Sequence, residues 1–341
     1  MRVIAIPSPT GARLSERQRD IIQKFAALGS LLALIAVFSL TSSAFFSVNN
    51  GMTIALQVTS IGLLGIGATF VIITGGIDLS VGSVLALSGV AAALCVRDLG
   101  FPVPLGMLAG IVTGTLCGLL NGFMVTRMRL PPFIATLGMM LVARGVALQI
   151  TGARAVSGLG ESFGELGNGA LLRMVTTDAE GYLSVIFPGI PYPVVLMVAI
   201  ALAAAFVLNR TVFGRHVYAV GSNAEAARLS GVDVSRVTTL AYAISGTLAG
   251  LTGCVLMSRL VTAQPNEGVM YELDAIASAV IGGTSLVGGV GTISGTAIGA
   301  FVIGILRNGL NMNGVSAFAQ QIIIGLVILL TVWIDQLRNR G

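Results

Sequence analysis

Residues 52–74 read MTIALQVTSIGLLGIGATFVIIT, 23 consecutive positions without a charged side chain. A helix that crosses the hydrocarbon of a bilayer needs about 20 mostly apolar residues, so this stretch decides the class of fold. Comparable blocks run from Phe25 to Leu40 and from Pro193 to Leu208. Of the 341 residues, 55% are hydrophobic and 10% charged, where a soluble domain carries roughly a quarter charged. The apolar residues stand in long blocks, not at amphipathic spacing and not in the ~10-residue alternating segments of a membrane barrel. An all-α polytopic membrane protein follows.

Ten spans are expected: Phe25 to Leu40, Met52 to Thr74, Ser80 to Val96, Val103 to Thr126, Pro132 to Ile150, Pro193 to Leu208, Val237 to Met257, Tyr271 to Leu286, Ile293 to Leu306 and Ala317 to Ile334. Residues 1–24 hold Arg2, Arg13, Arg17 and Arg19 around the short apolar patch Val3 to Ile6. A secretory signal needs an apolar run of 7 to 15 residues, so this segment is expected to be a cytoplasmic tail. Positive charge near span ends is retained in the cytoplasm. An inside N-terminus places Arg127, Arg129, Arg210, Arg215, Arg228, Arg236, Arg338 and Arg340 inside, with residues 336–341 as a second cytoplasmic tail. The loop 151–192 then lies outside, its acids Glu161, Glu165, Asp178 and Glu180 outnumbering Arg154 and Arg173. Arg97, Arg259 and Arg307 fall on the wrong side of this scheme.

Several chemistries have no material. The only lysine, Lys24, has no glycine-rich loop beside it, so the phosphate cradle G-x-x-x-x-G-K-[ST] is absent. His216 is the only histidine, and Cys95, Cys117 and Cys254 sit singly inside apolar blocks. A metal site, a catalytic triad or a disulfide is not expected, and the cysteines read as small packing residues. Forty-five glycines suit close helix approach in lipid. The charges in or beside the spans, Asp78, Arg144, Glu272 and Asp274, form no evident proton relay. Two passages resemble each other, GGIDLSVG at 75–82 and GGTSLVGG at 282–289. They read either as an internal duplication or as two tight re-entrant turns.

One hydrophilic passage interrupts the oily chain, within residues 209–236. Ser222 and Glu225 fit the capping box S-x-x-E, and Gly231 suits the residue after a last turn. Between them NAEAARLS makes a two-turn helix of about 12 Å. Alone so short a helix is marginal. Ala224, Ala227 and Leu229 offer small apolar surfaces to a partner, while Glu225 and Arg228 can fix orientation; packing under its own bundle is the competing reading.

Three stretches carry a family resemblance: GATFVIITGGIDLSVGSVLALSGVAAAL at 67–94, GRHVYAVGSNAEAARLSGVDV at 214–234 and YELDAIASAVIGGTSLVGGVGTISGTAIGA at 271–300. They resemble signature regions of the ribose-type ABC transporter permeases, the membrane subunits of bacterial monosaccharide importers. The resemblance covers roughly 45–335, and the loop 158–190 looks longer than usual. It implies the ten-helix type II importer fold, an inner-membrane location, a second permease copy and a cytoplasmic ATPase that uses ATP and Mg. It also implies a periplasmic sugar-binding protein, and neither a cofactor on this chain nor a nucleic-acid partner. The hydrophilic passage is similar to the family's coupling helix. By that match Gly221, Ser222, Asn223, Glu225, Ala227, Arg228, Leu229 and Gly231 would sit in the ATPase cleft. Which sugar is carried stays open, as does a branched-chain amino acid, autoinducer-2 or an ion-coupled carrier.

A neutral sugar needs polar groups along its route and little charge. Candidates at or inside spans are Thr74, Asp78, Ser80, Ser83, Asn121, Thr136, Arg144, Gln149 and Asp274. Each has a structural reading beside it. Ser and Thr can bond their own helix, Asp78 can cap the helix that follows, Glu272 and Asp274 can anchor a helix start, and Arg144 can pair with Asp274. The loop 151–192 is the expected docking surface for the binding protein.

Overall fold

A computed structural model describes residues 16–177 and 183–339. Arg2, Arg13, the patch Val3 to Ile6, Asp178, Glu180 and Arg340 lie outside the described residues. Ten helices match the ten expected spans: α1 (Glu16–Thr41), α2 (Val48–Ile73), α3 (Val81–Arg97), α4 (Val103–Thr126), α5 (Pro132–Thr151), α7 (Tyr192–Arg210), α10 (Val234–Leu260), α11 (Tyr271–Ile281), α12 (Ile293–Met312) and α13 (Ala317–Asn339). Six of them (α2, α4, α5, α7, α10 and α12) are long and apolar enough to cross a membrane by length and composition. α1 begins at Glu16, so part of the expected N-terminal tail is continuous with the first helix. α11 stops at Ile281, short of the expected Leu286, because Gly282 and Gly283 end it.

The inserted elements are α6 (Glu161–Asn168), the strands β1 (Ala170–Leu171), β2 (Met174–Thr177), β3 (Leu183–Phe187) and β4 (Ile190–Pro191), and the helices α8 (Val212–Ser222) and α9 (Ala224–Leu229). They mark two ends of the bundle. One end, here the hairpin face, carries α6 and the antiparallel pairs β1–β4 and β2–β3; the other, the α9 face, carries α8 and α9.

Burial does not follow hydropathy. α7 has the most apolar window of all and buries 17% of it, whereas α2 buries 89% and α10 78%. That is the signature of a bundle solvated by lipid, where a helix need not hide its leucines and the interior belongs to helices with small residues. α2 and α10 form the interior. α4 lies along α10 through Gly110, Gly114, Gly118 and Gly122, one per turn, while Gly106 meets Ala92 and Val96 of α3; a Cβ at Gly114 would strike the Gly246 carbonyl, and one at Gly118 the Tyr242 carbonyl. Backbones this close let hydroxyls meet: Thr115 with Thr247 at 2.8 Å and Thr126 with Thr239 at 3.1 Å across α4 and α10, and Thr69 with Thr296 at 2.6 Å across α2 and α12. Each satisfies a polar group that lipid could not. Cys117 and Cys254 are buried among these helices and all three cysteines are free, as the packing reading requires.

The similar passages are two helix endings of one design. At α2 the Gly75 amide bonds Ile72 O and the Gly76 amide bonds Val71 O; at α11 the Gly283 amide bonds Val280 O and the Thr284 amide bonds Ala279 O. Both are Schellman caps with a left-handed glycine, φ 80° at Gly75 and 91° at Gly283. Gly75 therefore corresponds to Gly283, one residue out of register with the alignment that the bare motifs suggest. A shared cap is what either reading, two tight turns or an internal duplication, expects.

Candidate functional site

The α9 face begins with α8. The Thr211 hydroxyl accepts the Gly214 amide at 3.2 Å to open it, and Val217 and Val220 turn into the core beside Phe70, Ile73 and Leu208. The end of α8 lies in the crevice between the two glycine breaks. A Cβ at Gly221 would drive into the Ile73 carbonyl, and the Gly289 amide, which donates to that same carbonyl at 2.9 Å, would also stand in its way. Tyr218 donates its hydroxyl to Gly291 O at 2.7 Å. The end of α8 is thus seated on α2 and on the turn before α12 through backbone contacts that tolerate no side chain at position 221.

α9 follows without a loop. The expected capping box is not formed: Ser222 is still the last residue of α8, and a cap must leave helical geometry. Asn223, extended at φ −162° and ψ 102°, is the cap, its side-chain oxygen accepting the Ala226 amide at 2.9 Å. Glu225 instead meets Arg228 at 2.7 Å; that hydrogen bond holds the Arg228 guanidinium above its ordinary pKa. Gly231 ends the helix as expected, with φ 87°, its amide on Arg228 O and the Val232 amide on Ala227 O, each at 3.0 Å. Ala227 is not a partner surface: it is buried in the same core as Val217 and Val220. Ala224, Glu225, Arg228 and Leu229 face outward, Leu229 being 80% exposed. Behind α9 a cavity of ≈ 540 Å³ reaches from Arg228 and Arg129 to Thr74, Gly76 and Tyr242.

At the head of that cavity stands a buried polar cluster. Asp78 Oδ1 accepts the Ser80 amide (3.0 Å) and hydroxyl (2.6 Å), and Oδ2 accepts the Ser245 hydroxyl at 2.8 Å. Asn121 donates to Ser80 Oγ at 2.8 Å. The Ile77 carbonyl accepts from Tyr242 at 3.2 Å and from Thr136 at 3.3 Å. Ser83 is buried in the first turn of α3, and the Thr74 hydroxyl returns to Val71 O at 2.8 Å. Five of the nine sequence candidates, Asp78, Ser80, Ser83, Asn121 and Thr136, thus gather at one break, and Thr74 lines the cavity below it. Asp78 organises the break through its own Asx turn, not as the helix cap, which is Ser80. Tyr242 and Ser245 were missed; their only sequence signal was i, i+3 spacing of polar groups in an apolar span.

The other three candidates scatter. Gln149 is exposed near the end of α5 and joins no interior cluster. Arg144 does not pair with Asp274; it donates Nη1 to Pro265 O (2.5 Å) and Glu267 O (2.7 Å). Asp274 pairs with Arg307, whose Nη2 bridges both carboxylate oxygens at 2.8 and 2.7 Å. Of the three arginines that run against the expected orientation, Arg307 is paired with Asp274, Arg97 lies on Asp98, and Arg259 stands in the last turn of α10, where the helix dipole favours a cation. Glu272 and Asp274 do occupy the first turn of α11. The loop 151–192 is only partly free: α6 packs on α10, with Phe163 fully buried, Ser258 Oγ donating to Phe163 O (2.6 Å) and accepting the Gly167 amide (2.8 Å).

Residues 50–332 match the model of a permease family, "Branched-chain amino acid transport system / permease component". The chain belongs to that family. Its polytopic helical architecture and its membrane location are those of a permease. It is 42% identical to the ribose import permease of Bacillus subtilis (strain 168), over 94% of each chain. It is likewise 42% identical to the ribose import permease of Escherichia coli (strain K12), over 91% of this chain and 92% of the relative. With the xylose transport system permease of Escherichia coli (strain K12) it shares 35% identity, over 99% and 98%. No solved structure matches the chain.

Proposed function

We propose that this permease is the membrane-spanning subunit of an ATP-driven importer of a monosaccharide in the bacterial inner membrane. One observation carries the reading: α9 is a rod fixed at both ends, anchored inward by Ala227, showing Glu225, Arg228 and Leu229 outward, and rooted through Gly221 on the ends of two broken helices. A rod exposed at its face and wedged at its root is suited to receive work from a neighbour, which can favour one state only through contacts that differ between states. The neighbour is a cytoplasmic ATPase using ATP and Mg. Ribose and xylose permeases among the relatives support a pentose as cargo. The arginines Arg127, Arg129, Arg210, Arg215, Arg228 and Arg236 support a cytoplasmic α9 face, with both termini on that side. The hairpin face then meets a periplasmic sugar-binding protein, and a second copy of the permease completes the channel, with lipid around it.

The test is a cysteine at the tip of the rod. Leu229→Cys is expected to crosslink to a co-expressed ATPase subunit in membranes and to react with thiol reagents only from the cytoplasmic side. Labelling from outside intact cells, or ATP-dependent ribose and xylose uptake that persists with no ATPase subunit present, would defeat the proposal.

A further inference from the structure

Towards the hairpin face a second polar cavity, of ≈ 260 Å³, opens among α2, α10, α11, α12 and α13. Gln57 and Ser60 of α2, Tyr271 of α11, Arg307 and Asn311 of α12 and Gln320 of α13 line it. At 1.5 Å per residue Gln57 lies about 13 Å along α2 from its start, and its side chain is exposed, as is that of Asn311. An amide at Gln57's depth is costly to leave unsatisfied against hydrocarbon; it lines the polar cavity instead, as does Asn311 in the last turn of α12. A reciprocal amide pair, Asn50 with Asn308 at 3.1 and 3.0 Å, stiffens the neighbouring wall. Arg307 stands between this cavity and a smaller one of ≈ 220 Å³ that Asp274 and Gln320 also line. Its Nη2 is committed to Asp274, while its Nε is buried without a hydrogen-bond partner among the described residues.

We infer that this cavity is the receiving site for the sugar on the hairpin face, with Gln57, Ser60, Asn311 and Gln320 reading hydroxyls and Tyr271 offering its ring. The inference rests on the importer reading above and adds to it the place where the cargo is first held. The volume is that of about nine waters at ~30 Å³ each, enough for a small polyol. Amide and hydroxyl side chains both donate and accept, as a ring of hydroxyls requires. Asp274 neutralises Arg307, and Arg259, which also lines the cavity, adds one guanidinium whose donors suit hydroxyl oxygens. Gln57, Ser60, Tyr271 and Asn311 lie on three separate helices, and nothing in the spacing of any one helix says that they meet.

The experiment uses the complete transporter in proteoliposomes, with its ATPase, its binding protein and radiolabelled ribose or xylose. Gln57→Leu with Asn311→Leu is expected to lower uptake about tenfold, two hydrogen bonds being lost, while nucleotide hydrolysis stays within about twofold. Should that pair not reach the membrane, Gln57→Cys is expected to react with an impermeant thiol reagent from the hairpin side and to be protected by the transported sugar. Unchanged uptake in the double variant, or labelling that sugar does not slow, overturns the site and leaves the importer reading standing. Failure of the unaltered complex to drive either sugar with ATP overturns the importer reading itself.

Discussion

After α2 the chain leaves its helix through Thr74, Gly75 and Gly76 and passes at once into the buried Asp78 cluster. After α11 it leaves through Gly282, Gly283 and Thr284, the same cap, and passes into a glycine hairpin whose Val287 side chain is 82% exposed. The first break is locked from within by a carboxylate that gathers α2, α3, α4 and α10 through Ser80, Asn121 and Ser245. The second is held from without, by the Gly289 amide on Ile73 O and by the end of α8 pressed against it. One cap therefore serves two purposes: a fixed point beside the cavity, and a turn whose position follows α8 and α9. Where hydroxyls and a carboxylate meet in a dry bundle the geometry is rigid; where only backbone contacts hold a turn, a small displacement of the neighbour moves it.

The contrast can be broken first at the shared contact. Gly221→Val places a branched side chain into the Ile73 carbonyl and the Gly289 amide, and is expected to abolish uptake, with overpacking of about 3 kcal/mol or more read as a lowered unfolding midpoint in detergent. Asp78→Ala tests the locked break: the Ser80 and Ser245 hydroxyls lose their acceptor, costing about 2–4 kcal/mol. Asp78→Asn retains an acceptor and is expected to cost about 1 kcal/mol in the same thermal assay. Arg307→Met should cost about 3 kcal/mol, since Asp274 at 2% exposure would lose its cation. Asp274→Ala should cost less, because the Arg307 side chain is 36% exposed and can reach water; an equal loss in the two variants would contradict that asymmetry. Asn223→Ala removes the cap of α9 for about 1 kcal/mol, whereas Ser222→Ala, which removes no cap, should stay within about 0.5 kcal/mol. The smallest effect on stability is expected for Glu225→Ala, an exposed pair member, in which uptake and sugar-stimulated ATP hydrolysis should still fall.

Legibility differed by the kind of interaction. The ten helices were readable because hydrocarbon imposes length and composition on each segment separately, and α4 matches its expected bounds at both ends. The Gly231 ending was readable because a left-handed cap is a local requirement. Local rules failed where two of them competed: Ser222-x-x-Glu225 has the spacing of a capping box, but α8 runs one residue too far for Ser222 to serve. Ala227 and Leu229 look alike as small apolar partner surfaces in the sequence, and only the packing of α9 on α8 and α10 turns the first inward and the second out.

By itself the sequence determined a helical membrane protein, its ten main helices, the capped helix between α7 and α10, and a resemblance to permeases, since each of these is written in contiguous residues. The tertiary structure alone decided that Arg307 and not Arg144 neutralises Asp274, that Gly221 is wedged between two distant breaks, and that Asp78 draws on Ser245. Those partners are separated by long stretches of chain. Periodicity and spacing carry no information about which of several polar residues in separate spans will meet once backbones pack through glycine.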